Sequence, residues 1–237
     1  MPQFLLLISC YVSAYFTPVQ EAKNWQKDIE SAYELAITKG SSAPLEELIS
    51  VLPVEYPPNI TTSASYWLAY AHYHQALYAL AYMENEQLAK ASVAKTIMLL
   101  RPVATDVESM ALLSLSLGFS TQFENYLNVV KLGQEALLLS KKAVELDPNN
   151  SRACYVYALI DSNMPKIFGG GEKVEALLLN ALEQPVDSLP TTPSWGRDAM
   201  YELLVKHYRE KGEDQIAESF LKKALLEFPT SRLLLSL

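Results

Sequence analysis

The side chains that most often carry catalysis or bind metals are few in this sequence and are poorly placed to act together. His72 and His74 are two residues apart, so on a helix they are separated by about 200° and cannot share a metal ion as an i, i+4 pair could. His207 stands alone in a later segment, and Cys154 has no neighbouring histidine or basic pair to activate its thiol. The sequence predicts no catalytic group, no metal site and no cofactor.

A glycine-rich stretch, residues 168–173, is the segment most suggestive of phosphate binding. Glycine lets backbone amides approach an anion at a helix N-terminus. The stretch reads FGGGEK, whereas a P-loop needs GxxxxGK followed by Ser or Thr after a strand. Here a predicted helix precedes the glycines and Val174 follows Lys173. The pattern therefore favours a structural loop in which glycine tolerates positive φ.

An aromatic ridge is the strongest local pattern in the first half of the chain. Its members recur every four residues on one predicted helix: Tyr66, Tyr70, His74, Tyr78 and Tyr82. Two interpretations are open. The ridge is either core packing that fills wide gaps between helices, or an aromatic surface that contacts a ligand or peptide.

Composition and periodicity predict an all-helical protein. Half of the 237 residues are hydrophobic, only 8 are glycine, and the formal net charge is −8, which is the wrong sign for nucleic acid or anionic lipid. Apolar residues recur at spacings of three and four, with no alternating strand pattern. The predicted helices cover residues 21–39, 43–52, 62–83, 85–101, 105–118, 124–146, 151–163, 172–184, 195–211 and 213–228.

The helices carry a repeating pattern of small, large and terminating residues. Ala217 and Ala224 would let two helices approach closely, Tyr201 and Tyr208 would fill the adjoining gaps, and Pro229 would end the hairpin. An earlier unit places small and terminating residues in the same way at Ala136, Ala143 and Pro148. The terminating prolines at 102, 148, 185 and 229 are farther apart than the roughly 34 residues of a plain repeat, which indicates insertions.

This pattern resembles the tetratricopeptide repeat (TPR). Residues 110–236 are also similar to a group of exported bacterial TPR proteins through ELDPNNSRA (145–153), MPKIFGGGEKVEALL (164–178) and PSWGRDAMY (193–201). A more distant likeness is to the TPR subunit associated with TRAP transporters. The resemblance implies an all-α, right-handed superhelical solenoid of antiparallel helix hairpins, a degenerate array whose first helices line a concave groove.

The same resemblance implies which side chains face the groove: Arg152, Tyr155, Leu159, Glu202, Lys206 and Arg209. The three basic residues would form a local cluster able to hold carboxylates, or else an ordinary solvated face. The predicted function is a non-catalytic scaffold that binds a protein or peptide in the groove. The alternative is a transporter-accessory or small-ligand-binding solenoid with an aromatic-lined pore or pocket.

The N-terminus predicts export. Residues 1–20 carry no charge, and the apolar run at 4–16 is short for a membrane span but suited to a signal peptide. Small residues near Ala14 favour cleavage there and a periplasmic or exported product. Cys10 also ends a lipobox-like sequence, so the alternatives are a membrane-anchored lipoprotein and a buried N-terminal helix. The predicted divisions are a signal peptide at 1–14, diverged hairpins at 21–104 and TPR-like repeats at 105–237.

Overall fold

The computed structural model describes residues 23–55, 61–186, 189 and 191–237, and within these ranges the chain forms α-helices and no strand. Short 3-10 turns lie at 121–123 and 166–168. The helices are α1 Trp25–Lys39, α2 Ala43–Glu55, α3 Thr61–Ala81, α4 Glu86–Leu100, α5 Val107–Ser120, α6 Tyr126–Leu146, α7 Ser151–Asn163, α8 Val174–Glu183, α9 Arg197–Glu210, α10 Asp214–Glu227 and α11 Arg232–Leu235.

Asparagine and aspartate side chains fix where several helices begin. Each accepts a hydrogen bond from the backbone N–H three residues later, which satisfies a donor that the first helical turn leaves unpaired. These residues cap α1, α4, α5, α6 and α7, and they are Asn24, Asn85, Asp106, Asn125 and Asn150. These capping residues lie in the polar breaks between the amphipathic segments, so each of these breaks marks the start of a helix.

Consecutive helices pack in pairs, with α3 on α4, α5 on α6, α7 on α8 and α9 on α10. Small residues allow this close approach, since Ala136 and Ala217 are fully buried. The Ser114 hydroxyl also donates to the Ala136 carbonyl oxygen on the facing helix at 2.7 Å. The prediction of an all-α solenoid of antiparallel helix hairpins is confirmed.

Two hydrophobic clusters follow one another along the array. The first joins α1, α3, α5 and α7 and includes residues from Trp25 to Trp195, so it contains residues on both sides of position 104. The second joins α7 to α11 around Tyr201 and Leu204. Tyr155 of α7 packs against both clusters and links them.

The observed helices follow the predicted ones closely, with local exceptions. The helix predicted from 195 begins at 197, because Gly196 takes a left-handed conformation at φ 89° and turns the chain. The short last helix, α11, has no counterpart among the predicted helices. The proposed signal peptide and Cys10 lie outside the described residues. None of the helices in the described ranges has the length and apolar character needed to cross a bilayer.

Candidate binding site

Arg152, predicted to face an open groove, is held by an acidic side chain of the preceding hairpin. Its Nε and Nη2 donate to the two carboxylate oxygens of Glu108 on α5, at 2.6 and 2.5 Å. Asn150 donates to the same carboxylate at 2.6 Å, and Arg152 is buried. A guanidinium engaged in such a bidentate pair does not present its fork to a partner. The predicted role of Arg152 is therefore corrected, because the side chain ties α7 to α5.

Tyr155 and Leu159, the next two predicted groove positions, pack into the protein. Leu159 lies against the first hydrophobic cluster, and Tyr155 lies against both. Burial raises the pKa of the Tyr155 phenol. A Cβ added to Gly196 would lie 3.6 Å from the Tyr155 ring, so the segment before α9 covers this tyrosine closely. These two positions of α7 are therefore partly covered by the chain itself.

The predicted groove positions on α9 remain at the surface. Lys206 is exposed, and its Nζ donates to Glu202 Oε1 one turn earlier at 2.6 Å. Arg209 is exposed and donates through Nη1 to the carbonyl oxygen of Leu237 at 3.0 Å. Exposed pairs of this kind contribute about 0 to 1 kcal/mol to stability, so an acidic partner could replace them at little cost.

The aromatic ridge of α3 lies mostly in the core. Tyr66, Tyr70, His74 and Tyr78 are each at most 9% exposed, so at these four positions the ridge is core packing and not an aromatic surface. Their rings are covered by neighbouring aromatic side chains, as shown by the 4.3 Å separation of the Tyr70 and His74 ring centroids. Tyr82, just beyond the end of α3, is 47% exposed and is the ridge residue that reaches the surface.

Burial sets the protonation state of the groups inside this core. It raises the pKa values of Tyr66 and Tyr70 far above that of a free phenol and lowers the pKa of His74 to about 4. The Tyr70 hydroxyl donates to Glu30 Oε1 at 3.0 Å, and Gln26 Nε2 donates to the same oxygen at 2.9 Å. Burial also raises the pKa of Glu30, against the effect of these two hydrogen bonds. At neutral pH both phenols are therefore protonated and His74 is uncharged.

A segment that we name the strap, residues 191–196, crosses to the first helices of the array. The backbone N–H of Ser194 donates to Gln26 Oε1 on α1 at 2.7 Å. The Trp195 indole N–H donates to the Tyr66 hydroxyl at 2.7 Å, and its ring stacks on Tyr70 at a centroid distance of 6.0 Å. The last residue of the strap also lies against one of the predicted groove positions on α7. The strap therefore occupies part of the predicted groove.

Two cavities flank the strap. The larger has a volume of about 210 Å³ and lies between the start of α7 and the start of α9, where Ser194, Trp195 and Arg197 contribute to its wall. The smaller has a volume of about 180 Å³, and Thr191 and Pro193 contribute to it beside the start of α5. The strap thus borders two open spaces without filling either.

The histidines and Cys154 are engaged in packing and local hydrogen bonds. His72 Nδ1 lies 3.3 Å from Gln75 Oε1, and burial lowers the His72 pKa. His207 Nε2 lies 3.9 Å from a Glu175 carboxylate oxygen. Cys154 is buried, and burial raises its pKa. Within the described ranges, no group of His, Cys, Asp and Glu side chains is arranged to hold a metal ion.

The glycine-rich stretch forms a loop anchored by Asp161. The Asp161 carbonyl oxygen accepts from the Gly171 N–H at 2.9 Å, and its Oδ2 accepts from the Lys173 N–H at 2.8 Å, just before α8. Oδ1 of the same carboxylate is buried without a hydrogen-bond partner. Gly170 allows the chain to pass Met164, whose carbonyl oxygen would lie 1.8 Å from a Cβ at this position. These contacts fold the loop back onto α7.

The residues that close the inner side are not evident from sequence patterns. Periodicity places Trp195 at the start of a helix, and neither Gln26 nor Glu108 stands out. Their partners lie tens of residues or more than a hundred residues away in the chain, so helical periodicity carries no trace of them. The usable signal is a tryptophan beside a proline-rich connection, since so large an apolar side chain is seldom left in solvent.

Comparison with known proteins supports the fold assignment. A crystal structure of a thermophilic TPR protein from Thermus thermophilus superimposes with a TM-score of 0.56, covering 89% of this chain and 94% of that one. The protein has a TPR fold. Sequence identity over the match is 18%, so the likeness concerns architecture. No protein-family model and no curated protein matches the sequence.

Proposed function

We propose that the protein is a non-catalytic scaffold that binds a protein or peptide along the inner side of its solenoid. The observation that carries the proposal is the position of α9. This helix lines the larger cavity at its first turns through Arg197 and Met200, and it keeps Lys206 and Arg209 exposed farther along. A TPR-type stack of helix hairpins offers an extended surface of this kind.

The size of the cavities favours a peptide over a small organic ligand. Pockets for such ligands usually enclose about 300 to 1,000 Å³. The cavities beside the strap measure about 210 and 180 Å³, and most of the aromatic ridge is packed against other rings. Single side chains of an extended partner fit spaces of this size. Acidic side chains of the partner would meet Lys206 and Arg209.

We further propose that the scaffold acts after export. The support is the uncharged N-terminal sequence with its apolar run at 4–16 and small residues near Ala14. The intact mass of the mature product from a Gram-negative host tests this. Loss of residues 1–14 without lipid indicates a soluble exported protein, a diacylglyceryl group on Cys10 indicates a membrane anchor, and an uncleaved chain contradicts export.

The binding surface is tested by matched variants on two neighbouring helices. A photo-crosslinking residue at position 206 on α9 should capture a partner that the same residue at position 222 on α10 does not. With that partner purified, replacing Lys206 and Arg209 by alanine should weaken binding at least tenfold. Replacing the exposed pair Lys222 and Lys223 should leave binding unchanged. Equal effects of the two double variants, or no effect of either, would contradict the proposed surface.

A further inference from the structure

The strap contacts the inner side of the solenoid as a bound peptide would. The backbone N–H of Ser194 donates a hydrogen bond to Gln26 Oε1 at 2.7 Å. One aromatic anchor, Trp195, is 6% exposed, stacks on Tyr70 and donates to the Tyr66 hydroxyl. Main-chain hydrogen bonds and buried aromatic anchors are both used in peptide recognition.

The strap leaves open space beside it. The cavities that adjoin it measure about 210 and 180 Å³ and are open to the surface. The inner side can therefore hold a longer segment, or one with larger side chains, than residues 191–196.

The receiving side chains are preset for an indole. The Tyr66 hydroxyl is buried on α3 and accepts from the indole N–H at 2.7 Å. The Tyr70 ring is fixed by its hydrogen bond to Glu30 and offers a face for stacking. Phenylalanine would stack on this face but would leave the Tyr66 hydroxyl without its donor.

We infer that the inner face of α1 and α3 is a binding site for an extended peptide segment carrying a tryptophan, and that the strap is its intramolecular occupant. This inference rests on the proposed scaffold function and names the chemistry of the partner. A segment of the partner displaces residues 191–196 and inserts its own indole between Tyr66 and Tyr70. Because the strap is covalently attached, it competes at a high effective concentration and lowers the apparent affinity of the partner.

The strap sequence itself supplies the probe. A fluorescein-labelled peptide TTPSWGR, residues 191–197, is titrated into the full chain as wild type and as Trp195→Ala. The peptide should bind the variant ten- to a hundredfold more tightly than the wild type, and it should bind both. The matched peptide TTPSAGR should bind each at least tenfold more weakly. Equal binding of the two peptides, no binding to the variant, or binding to the variant alone would overturn the inference.

Further variants test where the peptide binds and provide a replacement if Trp195→Ala does not fold. Gln26→Ala in the Trp195→Ala background should weaken TTPSWGR at least threefold, whereas Lys27→Ala, an exposed neighbour, should not. If Trp195→Ala loses its helicity, the titrations are repeated with Trp195→Phe. This variant keeps an aromatic ring at position 195 and removes the N–H that donates to Tyr66. The Lys206 and Arg209 double variant should bind the peptide normally. If a crosslinking residue at position 206 captures no partner while TTPSWGR binds as expected, the α9 surface alone is contradicted. If a partner is captured at position 206 but TTPSWGR does not bind, this inference alone is contradicted.

Discussion

Arg152 of α7 and Glu108 of α5 form a bidentate ion pair across two adjacent hairpins, with hydrogen bonds of 2.6 and 2.5 Å. The two side chains retain 11% and 20% of their exposure. Asn150, which caps α7, donates to the same carboxylate. This pair fixes the start of α7 against α5, beside both cavities, and so supports the wall of the site that the strap enters.

Removing Arg152 should therefore destabilise the fold. Breaking a fully buried pair costs about 3 to 5 kcal/mol, because it leaves a charge without its partner. Since this pair is partly exposed, we expect Arg152→Ala to lower the free energy of unfolding by about 2 to 3 kcal/mol. Urea unfolding measures the change. Lys206→Ala, at an exposed i, i+4 pair, is the control and should change stability by less than about 0.5 kcal/mol; similar losses for both would contradict the structural role of Arg152.

Enlarging Ala217 should disrupt the last hairpin. Ala217 is fully buried where α10 meets α9, so a leucine would overpack the interface and cost about 1 to 3 kcal/mol. Thermal unfolding followed by circular dichroism checks this. Gln215→Leu adds a leucine at an exposed position of the same helix and should leave the melting temperature nearly unchanged. An unaltered melting temperature for Ala217→Leu would contradict the repeat alignment.

His74 should make stability depend on pH. Its pKa is lowered from 6.5 to about 4 by burial, so between these values the unfolded chain takes up a proton that the folded chain refuses. The stability that the folded chain gains by keeping His74 neutral is fully present above pH 6.5, and it is lost as the pH falls toward 4. The loss is on the order of 3 kcal/mol.

His74→Gln tests this dependence, because glutamine keeps a polar side chain but does not titrate. The fall in unfolding free energy between about pH 7 and pH 4 should be smaller in the variant than in the wild type. Glu30 acts in the opposite direction, since its raised pKa makes its contribution largest at low pH and smaller as the pH rises through that pKa. Parallel pH profiles for His74→Gln and wild type would contradict the buried, neutral state of His74.

Two glycines should respond in opposite ways to alanine. At Gly170 a Cβ would lie 1.8 Å from the Met164 carbonyl oxygen, so the loop must shift and stability should fall by about 1 to 3 kcal/mol. Gly133, inside α6, has open space around it, so alanine there should stabilise by about 0.5 to 1 kcal/mol. Chemical unfolding of both variants measures the difference. A stabilising Gly170→Ala would contradict the close passage of the loop.

The helices are predictable because the signals that create them are local. Apolar spacing, caps such as Asn150 and terminating prolines act within a few residues, and the small residues Ala136 and Ala217 mark the hairpin contacts. The α3 ridge is also visible in the sequence, but the choice between core and surface depends on what α1 and the strap place over it. Sequence periodicity identifies the apolar face of a helix, but it does not show which other parts of the chain pack over that face.

The inner side could not be predicted because its contacts join distant parts of the chain. Arg152 has the residue type and position of a groove cation, yet Glu108, 44 residues earlier, neutralises it. Ser194 and Trp195 reach residues 168 and 129 positions away. Such pairings depend on the curvature of the whole array, which no single hairpin encodes.

The NMR signal of the Trp195 indole N–H tests most directly whether a peptide can displace the strap from the inner side of the solenoid. The chain has three tryptophans, and the signal is assigned by its loss in Trp195→Phe. In the free protein this proton should exchange slowly with solvent, because it is buried and bonded to Tyr66. Excess TTPSWGR should shift the signal and speed its exchange at least tenfold, whereas TTPSAGR should not. A slowly exchanging signal that saturating TTPSWGR leaves unmoved would contradict the account.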